Sequence, residues 1–216
     1  MKKLNFMALF SLMLVGLSAQ ATDMFIKMEI FPSRKQKIFN EIVSHSGLAK
    51  PSEDNYHLTL AQITDAKGSA QGKKLKKFLL GELNEACKGS LDKENAIILK
   101  DVSAGRYTVN RKYNNCPIVL LTDEETGNIL KNYNLILNKA LAKFNTKYET
   151  NFKMGDDLVP ANYTPHITLA DTSWINSKCQ HSRDEIIGTL NKKITQAKQK
   201  NKKPTYDFKL IVPQVE

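Results

Sequence analysis

The chain has 216 residues, 41% of them hydrophobic and 25% charged, which excludes a disordered polymer and suits one domain of ordinary size. Its formal charge is +10, a surplus that favours anionic partners such as nucleic acid, nucleotides or lipid headgroups and equally serves solubility.

The chain opens with the three-part grammar of a secretory signal peptide. Lys2 and Lys3 are the positive segment, 4–17 is almost entirely apolar, and Ala19-Gln20-Ala21 is a small-x-small cleavage signal. The apolar run is shorter than the ~20 residues that span a bilayer, and no second run approaches that length. The expectation is a signal peptide over residues 1–21 and an exported, periplasmic or secreted protein over 22–216, with no stable membrane insertion after cleavage. Removing the two lysines leaves 32 − 2 = 30 basic against 22 acidic residues, a mature charge of +8. Intact-mass measurement of protein from its native host should give an N-terminus at Thr22; a mass that includes residues 1–21 refutes cleavage.

The mature region begins with a strand over Phe25–Phe31, where Ile26, Met28 and Ile30 alternate before Pro32. Ser33 caps a helix with Ile38, Phe39, Ile42 and Val43 in its stripe, ended by Gly47 and Pro51. A strand spans Tyr56–Ile63. Ser69 opens a helix with Leu75, Phe78, Leu79 and Leu83 on its buried face, ending near Gly89. Strands follow over Ala96–Val102, Tyr107–Tyr113 and Pro117–Leu121. Thr122 and Glu125 form a capping box for a helix with Ile129, Tyr133, Ile136, Ala140 and Phe144 in line. Tyr148–Lys153 reads as a strand, 155–163 as a loop and Thr164–Ala170 as a strand. Ser182 and Glu185 repeat the capping box before Ile187, Leu190, Ile194 and Ala197. Tyr206, Phe208, Leu210 and Val212 alternate in a last strand. Connections too short for helical crossovers point to an antiparallel α+β sheet with no linker dividing it.

One pentapeptide occurs twice. His57-Leu58-Thr59-Leu60-Ala61 is echoed by His166-Ile167-Thr168-Leu169-Ala170, 166 − 57 = 109 residues later, and these are two of only four histidines. Strand side chains alternate, so each His shares a face with its Thr while Leu58 and Leu60, or Ile167 and Leu169, take the other. Two such strands side by side bring two imidazoles and two hydroxyls to one cleft. An imidazole titrates near ~6.5, so one neutral ring removes a proton from water while a protonated one supplies the leaving oxygen. Each threonine hydroxyl donates to a non-bridging phosphate oxygen. This set suits phosphodiester chemistry without a metal, and no cofactor is expected.

The two His-x-Thr strands, with Phe25–Pro32 as an opening strand, resemble the 2H phosphoesterase superfamily, which includes 2′-5′ RNA ligase-like proteins and 2′,3′-cyclic nucleotide phosphodiesterases. The resemblance covers nearly all of the mature chain. It implies a bilobal α+β fold over 22–216, two pseudo-symmetric halves of antiparallel sheet with helices on the outer faces and the active site in the central groove. It implies His57 and His166 as catalytic residues, His166 as base and His57 as acid, with Thr59 and Thr168 binding the phosphate. The expected reaction opens 2′,3′-cyclic phosphates of nucleotides or RNA ends. The alternatives are cleavage of 2′-5′ or 3′-5′ linkages in oligonucleotides or cyclic dinucleotides and, in another class, non-catalytic RNA or nucleotide binding. A monomer is expected. Many members carry an arginine beside the second motif, where this chain has Tyr163, Thr164 and Asp171.

Other candidates are weaker. Tyr56 and Tyr163 flank the motifs and are candidates for stacking on a base. Arg106, Arg111 and Lys112 could contact phosphates, and Lys192, Lys193, Lys198, Lys200, Lys202 and Lys203 form a run that either attracts RNA or complements a helix dipole. Asp156 and Asp157 suit a turn, and His45 and His181 suit the surface. Cys87, Cys116 and Cys179 allow at most one intramolecular disulfide, with the pair undetermined.

Overall fold

A computed structural model of the chain describes residues 22–31, 56–88, 96–99, 101–106, 118–170, 180–200 and 208–213. The expected signal segment, the helix after Ser33 and the strand over Tyr107–Tyr113 lie outside these residues. So do Cys116, Cys179, Arg111, Lys112, His45, Lys202 and Lys203.

Alternation produces the strands. In β1 (Thr22–Phe31), Met24, Ile26, Met28 and Ile30 are buried while Phe25, Lys27 and Glu29 point the other way. β2 (His57–Lys67) keeps that period until Leu60 and Ala61, which are both buried. The break is a bulge: Ile26 pairs with Ala61 but Lys27 pairs with Thr59, leaving Leu60 as the extra residue. Without that inserted residue, a strict period would turn either His57 and Thr59 or Gln62 and Thr64 into the core.

Helix α1 (Ala70–Cys87) starts where Ser69 accepts a hydrogen bond from the Gly72 amide at 2.8 Å. The chain then gives β3 (Ala96–Leu99), β4 (Val102–Arg106) and β5 (Ile118–Thr122). Helix α2 (Glu124–Tyr148) follows, then β6 (His166–Ala170), α3 (Gln180–Lys200) and β7 (Phe208–Ile211). The cap of α2 is Asp123, one residue beyond the expected Thr122. Thr122 still belongs to β5, paired with Val102, and the Asp123 carboxylate takes both the amide and the hydroxyl of Thr126. Ser182 lies inside α3, which begins at Gln180, so it is not that helix's cap. Tyr148 ends α2 rather than opening a strand: Glu149 turns left-handed at φ 50°, and Asn145 binds both Phe152 and Thr150 to reverse the chain. Ile129 is exposed and Leu130 takes its place in the core.

The strands form one antiparallel sheet in the order β3-β7-β1-β2-β6-β5-β4. The expected single strand over Ala96–Val102 is in fact two, and they stand at opposite ends of this order. Seven strands laid flat would hold their edges about 29 Å apart, at ~4.8 Å per step. Leu99 and Val102 are three residues apart, a reach of about 10 Å. The sheet therefore curls into a half-barrel that brings its edges together where the chain passes from β3 to β4.

Helices α1 and α2 pack on each other and on β2, and α3 packs on β4. Leu58, Leu60, Ile63, Ile167, Leu169 and Leu120 share one core with Leu75, Leu79, Leu83, Leu130, Leu137 and Phe144 from the helices. At ~1.5–3 kcal/mol for each fully buried side chain, this layer is the main force holding the sheet in shape. No helix among the described residues is long and apolar enough to cross a membrane.

Candidate active site

β2 and β6 are neighbours at the middle of the sheet, with Leu58 paired to Ile167. Continuing that antiparallel register by one residue in each direction sets Thr59 opposite His166 and His57 opposite Thr168. The pairings outside these strands extend the rows. Lys27 lies beside Thr59 and Leu121 beside His166; Glu29 lies beside His57 and Val119 beside Thr168. Cross-strand partners share a face, so both histidines and both threonines stand on the face turned away from the leucine core. The two histidines occupy diagonal positions on neighbouring strands, a backbone spacing of about 7–8 Å.

All four side chains are half-buried. His166 donates from Nδ1 to the Thr164 carbonyl at 2.8 Å, so in the neutral ring Nε2 carries the lone pair. Burial holds the His166 imidazolium below the ordinary pKa, the Thr164 carbonyl opposes this, and the nearby His57 charge lowers it further. That last influence puts the His57 imidazole within electrostatic reach of His166. A neutral, tautomerically fixed imidazole is the form that accepts a proton.

The backbone under the site is braced from the core side. Asn134 on α2, fully buried, donates to the carbonyls of Leu60 and Leu158 at 2.8 Å each, tying the bulge to the segment before β6. Tyr163 donates its hydroxyl to the Thr59 carbonyl at 3.0 Å. Lys153 and Gly155 bond to β2 at Thr64 and Gln62, so the stretch that leads into β6 is anchored along β2 itself.

The expected stacking role of the tyrosines does not fit this arrangement. Tyr56 is 2% exposed and Tyr163 4%, both inside the core, and a sealed ring offers no face to a base. Burial pushes the Tyr56 hydroxyl up to about 12. Their apolar rings in the sequence carried no sign of whether they turned inward or outward. Asp156 and Asp157 sit in a short 3₁₀ turn over Asp156–Leu158, in keeping with the turn reading. Among the described residues no group of three or more His, Cys, Asp or Glu is placed to hold a metal ion. Arg106 ends β4, and Lys192 and Lys193 lie along α3, which packs on β4. The side chains of Arg106, Lys198, Lys200 and His181 are outside the described set. Cys87 is buried at the end of α1, where burial pushes its thiol up and Tyr133 bonds to it.

Three residues that join the site belong to no sequence motif. Lys27 and Glu29 were legible as the polar side of β1, but only the strand order sets them beside Thr59 and His57. Asn134 is a polar residue on the apolar side of a helix, a signal that asks for a buried acceptor. No model of a known protein family matches the chain, and no characterised protein matches it either.

Proposed function

We propose that the His57/His166 face is the active site of a metal-independent phosphodiesterase of the 2H type, and that it hydrolyses 2′,3′-cyclic phosphates of nucleotides or RNA ends. The observation that carries this reading is the β2–β6 register, which sets each histidine across from the other motif's threonine. In the proposed reaction a water oxygen attacks phosphorus. Its proton passes to His166 Nε2, the P–O bond to one ribose oxygen breaks, and that oxygen takes a proton from His57, leaving a phosphate monoester. Thr59 and Thr168 hold the non-bridging oxygens as charge builds on them. The Nδ1–H bond of His166 to Thr164 and its lowered basicity favour the base role for that residue. Glu29, in register with His57, sets a carboxylate on the same face.

The central position of β2 and β6, with three strands on one side and two on the other, supports a two-lobed arrangement whose groove runs between them. We also propose export, on the Lys2–Ala21 grammar. The test is hydrolysis of the four 2′,3′-cyclic nucleotides, with 2′-5′ and 3′-5′ dinucleotides alongside, in the presence of EDTA. Cyclic phosphates should be opened at an undiminished rate. Loss of activity with chelator, restored by a divalent ion, refutes the mechanism; cleavage of the dinucleotides alone reassigns the bond.

A further inference from the structure

The face that carries the histidines continues along β1. Phe25 pairs with Gln62, two residues beyond the Lys27–Thr59 pair, and so lies on the same side of the sheet. Beside Phe25 and Lys27 a cavity of about 380 Å³ opens where the start of β1 and the end of β2 meet the first turns of α1, its lining including Asp23, Phe25, Lys27, Lys67, Lys73 and Lys76. Phe25 is 42% exposed, one of only two large hydrophobic side chains among the described residues to be so open. The Lys27 ammonium stands 5.0 Å from its ring centre. Asp23, the one acid in the lining, is already held by Gln62 and by the Asp65 amide, and four lysines surround it.

The charge on α1 is the second observation. A helix is stabilised by acids in its first turn and bases in its last. Helix α1 has neither. Its lysines, Lys73, Lys74, Lys76 and Lys77, fall in the N-terminal half, and its acids, Glu82 and Glu85, in the C-terminal half. A solvated face kept for solubility is served equally well by the favourable order. The adverse order concentrates positive potential beside an open aromatic ring, and this pairing of flat apolar surface with cations is what a single strand of nucleic acid recognises, bases by stacking and phosphates by charge.

We propose that this cavity docks the nucleotides flanking the reacting phosphate, so that the substrate is a single-stranded oligonucleotide rather than a mononucleotide. The proposal rests on the phosphodiesterase reading of the adjoining site. Two measurements separate them, made on wild type, on the triple variant Lys67→Glu/Lys73→Glu/Lys76→Glu, and on Phe25→Ala. The first is binding of a fluorescein-labelled octauridylate across a salt series. Affinity should fall at least ~10-fold in the triple variant, and the salt slope should flatten by about 2, at ~0.7 for each phosphate no longer neutralised. The second is turnover of an octanucleotide ending in a 2′,3′-cyclic phosphate against the matching cyclic mononucleotide. Only the octanucleotide should show a raised KM. The triple variant should melt no lower than wild type, since its new charges suit the helix dipole; if it does melt lower, Phe25→Ala carries the comparison. If wild type hydrolyses neither substrate, the reaction reading fails, and the octauridylate binding still decides the docking site. Unchanged RNA affinity in both variants overturns the proposal, as does binding of wild type to phosphatidylglycerol vesicles but not to octauridylate.

Discussion

Replacing either His57 or His166 with alanine should lower turnover of a 2′,3′-cyclic nucleotide by at least ~10²-fold, the usual range for losing a general acid or base. The double variant should lose far less than the product of the two, because a proton taken at one ring is useful only if the other gives one up. Thr59→Ala and Thr168→Ala should cost less, since a water can replace a hydroxyl donor. The pH profile should be a bell whose limbs belong to the coupled pair. Its acid limb should lie below the ordinary imidazole value of 6.5, because burial and the His57 charge keep His166 neutral to lower pH. The same shift has a stability consequence of defined sign. With the folded-state value depressed, the unfolded chain takes up the proton first. The stabilising contribution is then complete above about 6.5 and is lost as pH falls toward the folded-state value. His166→Ala should remove that part of the stability profile. Equal turnover in wild type and both single variants would mean that this site does not carry the reaction.

The second large effect is on stability. Gly72→Ala should lower unfolding free energy by more than ~3 kcal/mol, although alanine is the better helix former by ~0.5–1 kcal/mol. A Cβ at Gly72 would stand 1.6 Å from the Ala66 carbonyl oxygen and 2.9 Å from Ser69 Oγ, where the first turn of α1 presses on the end of β2. The obstacle is backbone, so it cannot rotate aside. Gly68, at φ +90° two residues past Ala66, makes the tight turn that forces this approach. Gly81 lies in the same helix with nothing within 4 Å of its missing Cβ, and Gly81→Ala should stabilise the protein instead. Denaturant unfolding of the two variants should therefore move in opposite directions from wild type. A small effect at Gly72 would mean that α1 stands off from β2 instead of pressing on it.

The difference between these two glycines marks where sequence reasoning stops. Local periodicity told which side of β2 and β6 was polar, and the repeated His-x-Thr pentapeptides marked those strands out from all others. Alternation also separated Lys27 and Glu29 from Ile26, Met28 and Ile30. None of this told which strands were neighbours, because pairing is a property of distant residues. Glu29 meets His57, and Lys27 meets Thr59, only through the β1–β2 register and its bulge at Leu60. The apolar run from Ala96 to Val102 has the composition of one strand; curvature of the whole sheet, not local preference, divides it. Tyr56 and Tyr163 illustrate the same limit. A tyrosine suits a groove or a core, and the Thr59 carbonyl that claims the Tyr163 hydroxyl lies 104 residues away in the chain.

β7 has a consequence for how the chain reaches this form. This last of the described strands is not at an edge but wedged between β1 and β3, paired with both. Until residues 208–211 are in place, two strands made much earlier have no partner on that side. The sheet can be finished only once residues 208–211 have been synthesised, and it is finished by contacts of long sequence separation, the slow kind. Before then β1 and β3 offer unpaired backbone to any other strand in reach. Under the export proposed above, such lateness is an advantage: the keystone strand arrives last.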